Sequence, residues 1–309
     1  MCRLRLIRST SGDHNMKTQI PDALKKDVPQ TTWGKILTAT PVIMTVVATA
    51  LAGLASSEMT RAQYARSLAA QQQAKAGDQW SFFQAKRLRG AMQRTTLDLI
   101  QATADVRPPA AETLTKLDPA TAAALQKGEP PAFPPAPEIS PELKHALELL
   151  EAARPESEIA AALSEMDPKV IQDATRAARD RADAFDVATK PVNQAIDGLE
   201  KTLLGGAREA ARDFTAARAR YNAARYDSEA RLNQSVAHLI ELQVRKSNIV
   251  ADRHHRRSQQ FFFGMLGAQA AVIVSTFSLA AQKRSMLWTL AAAAGLAAVA
   301  FAVYVYFYV

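Results

Sequence analysis

The sequence predicts an all-α protein with three transmembrane helices and a long antiparallel helical hairpin, a coiled-coil-like stalk with smaller helices at its far end. Three observations predict it. Residues 36–55, 261–281 and 286–309 are apolar runs, each reaching the roughly 20 residues that a helix rising ~1.5 Å per residue needs to cross a ~30 Å hydrocarbon core. Residues 58–106 and 207–260 are polar, Ala-rich and free of proline, with apolar positions recurring every three to five residues. Val, Ile and aromatic residues are sparse in the polar middle region and strand-like alternation is missing, which argues against a sheet.

Taken in order, residues 1–32 form a basic tail that carries Pro21 and Pro29, lacks apolar periodicity and is expected to be disordered. Residues 33–57 hold the first transmembrane helix. Pro41 falls in its first turns, where a missing N–H costs least. The apolar run is long for a secretory signal and follows a long polar leader, so an uncleaved anchor is expected. Residues 58–106 continue as a polar helix in which Gly77 and Gly90 are the only glycines. Ala76, Trp80, Phe83, Leu88, Met92, Leu99 and Ala102 follow one face of it, and that face needs a partner.

Nine of the fifteen prolines fall in residues 107–141. Such density forbids a long helix and favours extended backbone, so residues 107–140 are expected to be a spacer rather than a docking site for a proline-reading module. Residues 141–206 form a helical insert with periodicity at 141–153 and 156–166. A further helix starts at Asp167-Pro168, with Asp as N-cap and Pro at the first helical position. Pro191 should kink it and Gly205-Gly206 should loosen it.

The return helix, residues 207–260, carries the stripe Phe214, Ala217, Tyr221, Ala224, Ser228, Leu232, Val236, Leu239, Leu242 and Val250. It leads into the second transmembrane helix (261–281), a basic turn (282–285) and the third (286–309). If the two long helices pack antiparallel with Ser57 level with Gln260, Trp80 falls beside Ala237 and Glu241. The short helices of the insert would then cap or flank the far end.

The net charge of +8 is unevenly placed. Residues 1–35 carry seven Lys/Arg against three Asp/Glu, residues 58–260 carry 29 against 27, and Lys283 and Arg284 supply the rest. Positive charge flanks the apolar runs, so a lipid bilayer with anionic lipids explains it and no nucleic-acid partner is expected. Cys2 is the only cysteine, which excludes an internal disulfide and a cysteine-based zinc site.

Lys283 and Arg284 lie in a tight turn between apolar runs, where the positive-inside rule places them in the cytoplasm. The basic tail agrees, and together they put residues 58–260 in the periplasm of a bacterial inner membrane. Arg61, Arg66, Lys75, Arg245, Lys246, Arg253, Arg256 and Arg257 oppose that orientation. Trp33 with Trp288, and Phe261, Phe262 and Phe263 with Tyr304, Tyr306 and Tyr308, would form two interfacial belts. The pairs Gly264/Ala268, Gly267/Ala271, Ala291/Gly295 and Ala48/Ala52 permit close helix packing, and Gln269 is expected in an interhelical hydrogen bond.

Two clusters stand out as candidate sites. Arg253, His254, His255, Arg256 and Arg257, with Lys283 and Arg284, suit a lipid interface, where long basic side chains reach phosphates. Adjacent histidines point about 100° apart on a helix, so interface anchoring is preferred to a metal site. Asp78, Trp80, Phe83, Gln84 and Lys86 suit helix packing or a partner contact, with aromatic residues on more than one face. The sequence holds no Gly-rich phosphate loop, Walker-type motif, nucleophile elbow, His-Glu-x-x-His or EF-hand loop, so neither a cofactor nor a catalytic residue is expected.

Asp78, Gln79, Trp80, Gln84, Ala85 and Lys86, followed by residues 253–261 and the Lys283-Arg284 turn, give the chain a resemblance to a family of bacterial membrane proteins classed only as a domain of unknown function. Its members look similar in having an N-terminal membrane helix, an Asp-Gln-Trp-x-x-x-Gln-Ala-Lys signature, and a basic, His-containing approach to a closing membrane hairpin. The likeness covers both ends, while residues 107–206 look like an enlargement. It implies an architecture and no mechanism. The function expected is that of a non-enzymatic oligomeric scaffold or partner-binding module at the cell envelope, with another membrane protein as an alternative partner to a second copy. The competing reading is a sensor or regulatory subunit of a transporter or channel.

Overall fold

The computed structural model describes residues 32–203, 207–280 and 284–308. The basic tail up to residue 31, the Gly205-Gly206 pair and Lys283 lie outside the described residues, as do the side chains of Trp33 and Arg284. Eight α-helices and no strand occupy the described residues. They are α1 (Thr32–Thr103), α2 (Ala111–Leu114), α3 (Pro119–Lys127), α4 (Pro141–Glu151), α5 (Glu156–Ser164), α6 (Pro168–Leu203), α7 (Arg208–Ala280) and α8 (Arg284–Tyr308). The chain divides into two compact units, Met1–Ser57 with Arg257–Val309, and Glu58–Arg256.

In the unit Glu58–Arg256, α1 and α7 pack antiparallel as a hairpin, as expected. Each step forward on α1 meets a step back on α7: Glu58 faces His254, Gln72 faces Ser247, Trp80 faces Glu241 and Lys86 faces Glu229. Trp80 therefore reaches the predicted residue. The expected level of Ser57 with Gln260 is off by about one turn, since the carbonyl of neighbouring Ala55 accepts from Ser258 Oγ at 2.7 Å.

The insert does more than cap the hairpin. α6 runs antiparallel to α7 as a third long helix, marked by Gln243 Nε2 donating to Thr175 Oγ1 at 2.8 Å, Tyr221 Oη donating to Asn193 Oδ1 at 3.1 Å, and the Arg218–Glu200 ion pair. So α7 buries two faces, one on α1 and one on α6. Small buried residues, Ala216, Ala219, Ala223, Ala230 and Ala237, let both neighbours approach. Burial pushes the Tyr221 phenol up to about 12.

The smaller helices divide between the two ends of this bundle. At the Thr103/Arg208 end, Leu125 of α3 joins Val192, Ile196, Phe214 and Tyr221. In contrast, α4 and α5 bury Leu143, Ala146, Ile159 and Leu163 against Ala76 and against Val236, Leu239 and Leu242, which is toward the Glu58/Arg256 end. That placement corrects the expectation that both would sit at the far end.

The Pro-rich segment explains how the chain gets there, and it is not a plain spacer. Arg107 N–H donates to Asp213 Oδ1 at 3.3 Å, and Leu114 and Leu117 pack with α3. Phe133 then stacks on Phe185 with ring centroids 5.2 Å apart. Arg181 Nε donates to the Pro134 carbonyl at 2.9 Å and lays its guanidinium over Phe133. Extended proline backbone leaves its carbonyls without helical partners, so they are open to such donors. The segment is a strap along α6.

Local signals set the helix ends. Asp118 accepts from the N–H groups of Ala120 and Thr121, and the Thr121 side chain, then its N–H, hold the carboxyl below the usual range. Ser140 caps α4 ahead of Pro141, and Asp167 accepts from Lys169 N–H at 2.9 Å ahead of Pro168. Gly128 closes α3 at φ 71°, where a Cβ would collide with the Arg220 side chain. Helix α6 continues through Pro191. Pro191 and Val187, whose carbonyl loses its helical donor, both lie on the exposed side of the helix.

The unit formed by residues 32–57 and 257–308 packs three helices, α7 antiparallel to α1 and α8 parallel to it. All three helices are long and apolar enough to cross a membrane. Small residues are inside: Ala48, Ala268, Ala271, Ala291 and Ala298 are buried, and a Cβ on Gly295 would collide with Met44. Large apolar residues such as Val46, Ile273, Phe277 and Leu296 face outward. Such a distribution suits lipid rather than water. Trp288 Nε1 donates to Thr40 Oγ1 at 3.0 Å, while Phe261 is buried and Tyr306 exposed beside it. Gln269 is exposed instead of hydrogen-bonded between helices, because Gly264, Ala268 and Ala271 occupy the contact face and residue 269 lies a quarter-turn away.

Two expected outcomes test this fold. With Cys2→Ser as background, Gln72→Cys/Ser247→Cys should crosslink within one chain under mild oxidation, while Gln72→Cys/Arg218→Cys should not, read by mobility on non-reducing gels. Phe133→Ala should lower thermal stability by about 1 kcal/mol, the size of an aromatic pair, and speed protease cleavage within residues 129–137.

Candidate functional site

Along the α1/α7 seam the contacts are polar to an unusual degree for a helical core. Trp80 Nε1 donates to Glu241 Oε1 at 2.7 Å, and its ring stands 5.3 Å from both Phe83 and His238. His238 Nδ1 in turn lies 3.3 Å from Glu151 at the end of α4. Lys86 pairs with Glu229, a carboxylate 3% exposed that is also held by Arg225 Nη1 at 2.6 Å. Arg94 pairs with Asp227.

Of the residues singled out in the sequence, Trp80 and Lys86 reach α7 and Phe83 packs edge-on against Trp80. Asp78 and Gln84 are exposed and take no part in that cluster. The basic stretch also divides. His254 Nδ1 lies 2.6 Å from Glu58 Oε2, Arg253 and Arg256 are exposed, and His255 and Arg257 are half-buried. Among the described residues no group of three or more His, Cys, Asp or Glu is placed to hold a metal ion.

Sequence reasoning missed a cavity of about 420 Å³ enclosed by α1, the start of α6, and α7, a size typical of small-molecule sites. Tyr64, Leu68, Ile171 and Val250 give it an apolar wall, and Gln72, Gln243 and Lys246 place polar groups on it. Lys246 is 7% exposed and donates to the carbonyls of Leu163 and Ser164 at 2.9 and 3.0 Å. These are the last carbonyls of α5, where a cation complements the helix dipole. Burial, then Arg253, push the Lys246 ammonium down, against Glu165 and Asp167. The signal was present: 246 is the position skipped between Leu242 and Val250 in the apolar stripe of α7.

Glu229 is the most exacting of the charged groups, since it is buried between two cations. Glu229→Gln should cost about 3 kcal/mol or more, because it leaves Lys86 and Arg225 without their shared counter-charge. Lys86→Met should cost less, since Arg225 still compensates the carboxylate. Thermal unfolding of the full chain followed by circular dichroism ranks the two.

No curated protein and no solved structure matches the chain. One protein-family model does, that of "Domain of unknown function (DUF4337)", over residues 33–196. The match runs from the first apolar run through the seam residues Asp78 to Lys86 and extends across the Pro-rich and helical middle as far as residue 196; it ends before the basic approach and the closing hairpin. Spanning more than half of the sequence, it shows that the chain belongs to the DUF4337 family.

Proposed function

We propose that this is an integral protein of the bacterial inner membrane, and that it works as a non-enzymatic helical scaffold through self-association along α1. One observation carries the reading. Leu88, Met92 and Leu99 are 60–64% exposed on the face of α1 turned away from α7, and with Ala85, Thr95 and Ala102 they alternate at spacings of three and four. That is a coiled-coil seam of nearly three heptads without a partner among the described residues. Lys86 and Arg94 are turned toward Glu229 and Asp227, so they do not charge the seam. A second copy presents the same stripe and is the partner that fits it.

The orientation that supports this reading keeps unit Glu58–Arg256 in the periplasm. Several basic residues that oppose it are engaged within the protein: Arg61 by Glu58, Arg66 by Asp252, Arg245 by Glu156, and Lys246 by carbonyls. Exposed Arg253 and Arg256 stay available to anionic lipid, at about 1 kcal/mol per charge near such a surface.

Native mass spectrometry of the protein released from detergent should show an oligomer that Leu88→Glu/Leu99→Glu converts to monomers with helicity unchanged. In the Cys2→Ser background, Gln101→Cys should react with a membrane-impermeant maleimide added to spheroplasts. An unchanged oligomer in the double variant would remove the scaffold seam, and labelling only after lysis would reverse the orientation.

A further inference from the structure

Lys246 is a buried ammonium that no carboxylate pairs with among the described residues. Two backbone carbonyls accept from it, which leaves one of its three N–H donors for another group. Backbone carbonyls carry only partial charge, so a buried net charge stays incompletely compensated. Every other charged group on the cavity rim is already matched: Arg61 and His254 share Glu58, through contacts of 3.2 and 2.6 Å. Ser247 Oγ donates to Gln72 Oε1 at 2.8 Å, which leaves the amide NH₂ of Gln72, a residue that also lines the cavity, as a second donor.

The rest of the wall points to what the anion is attached to. Tyr64, Leu68, Ile171 and Val250 come from three helices and converge on the same space. A bare inorganic anion would leave the surface that Tyr64, Leu68 and Val250 expose facing water, with Ile171 fully buried behind it. An aliphatic chain would cover it, gaining about 25 cal/mol for each Å² removed from solvent. Tyr64 is 72% exposed and the Arg61 side chain 62% exposed, so the rim is open to solvent.

We propose that the cavity binds a single-chain amphiphile with an anionic head group, the head at Lys246 and the Gln72 amide and the chain along Tyr64, Leu68, Ile171 and Val250. A fatty-acid carboxylate and a lysophospholipid phosphate share this chemistry. The site uses none of the α1 seam residues, so it stands or falls independently of self-association.

The test uses the full chain, delipidated and held in non-ionic amphipol, with radiolabelled dodecanoate as probe in equilibrium filtration. One equivalent should bind saturably. Dodecyl phosphate should displace it, while dodecyltrimethylammonium, of equal chain length and opposite charge, should not. Lys246→Met should weaken dodecanoate at least tenfold, Lys246→Arg should retain most of the affinity, and Val250→Trp, which fills the cavity from a half-buried position, should abolish binding. Lys86→Met, remote from the cavity, should bind as the parent does. Lysophosphatidate offered in phosphatidylcholine nanodiscs separates the sources: displacement there assigns the membrane lipid, and its failure with dodecanoate still bound assigns the free acid. Equal binding by Val250→Trp, or equal displacement by the cationic amphiphile, would overturn the proposal even if Lys246→Met failed to fold.

Discussion

The register between α1 and α7 is the constraint from which the rest of the Glu58–Arg256 unit follows. Both helices are rich in alanine, and an alanine surface looks much the same when slid by one turn. Apolar packing alone would therefore specify the pairing weakly. Polar crosspieces specify it: the single N–H of Trp80 finds Glu241, Ser247 finds Gln72, and the buried Glu229 carboxylate sits between Lys86 and Arg225. A slip of one turn would leave each of these buried without its partner, at about 1–3 kcal/mol for a neutral group and more for a charge. The seam adds little net stability over an apolar one; it makes competing registers costly.

Once α7 is aligned on α1, its second buried face sets where α6 lies. Gln243, Tyr221 and Arg218 each reach α6, at Thr175, Asn193 and Glu200, spacing that only a parallel run of the two axes allows. The N-terminus of α6 then has to begin near residue 243, although the chain leaves α1 at the opposite end. The strap solves that connection. Proline-rich backbone covers distance without forming a helix, and Phe133 and the Pro134 carbonyl fasten it to Phe185 and Arg181 on the way.

Periodicity over long, unbroken stretches made the three apolar runs, the two long helices and their pairing legible in the sequence, down to Trp80 against Glu241. The cap at Asp167 was legible because Asp-Pro marks a helix start chemically. The strap was not, since its attachment depends on Arg181 and Phe185, about 50 residues away and unremarkable in isolation. That the helix starting at Pro168 lies along α7 as a third long member of the bundle was hidden for a related reason. Alanines on the second face of α7 carry little hydrophobic signal, so a helix buried on two sides reads as one with a single stripe. Asp78 and Gln84 were drawn into the candidate cluster by sequence proximity to Trp80, but helical geometry turns them to solvent.

Lys246 shows where local consistency gives way. Leucine or methionine at that position would continue the stripe through Leu239, Leu242 and Val250, close against Ile171, and carry no desolvation cost. The lysine instead depresses its own ammonium by burial and borrows the end of α5 for partial compensation. Fastening α5 does not require a charge, because Leu163 and Ile159 already bury it in the core. Departures of this kind, where a charged side chain takes a buried position in an apolar stripe, concentrate at binding sites. The lysine also borders a space of about 420 Å³ between α1, α6 and α7. A charge kept at a cost to stability and a volume left unfilled at the same point are explained together by a ligand that supplies both the counter-charge and the missing apolar contact.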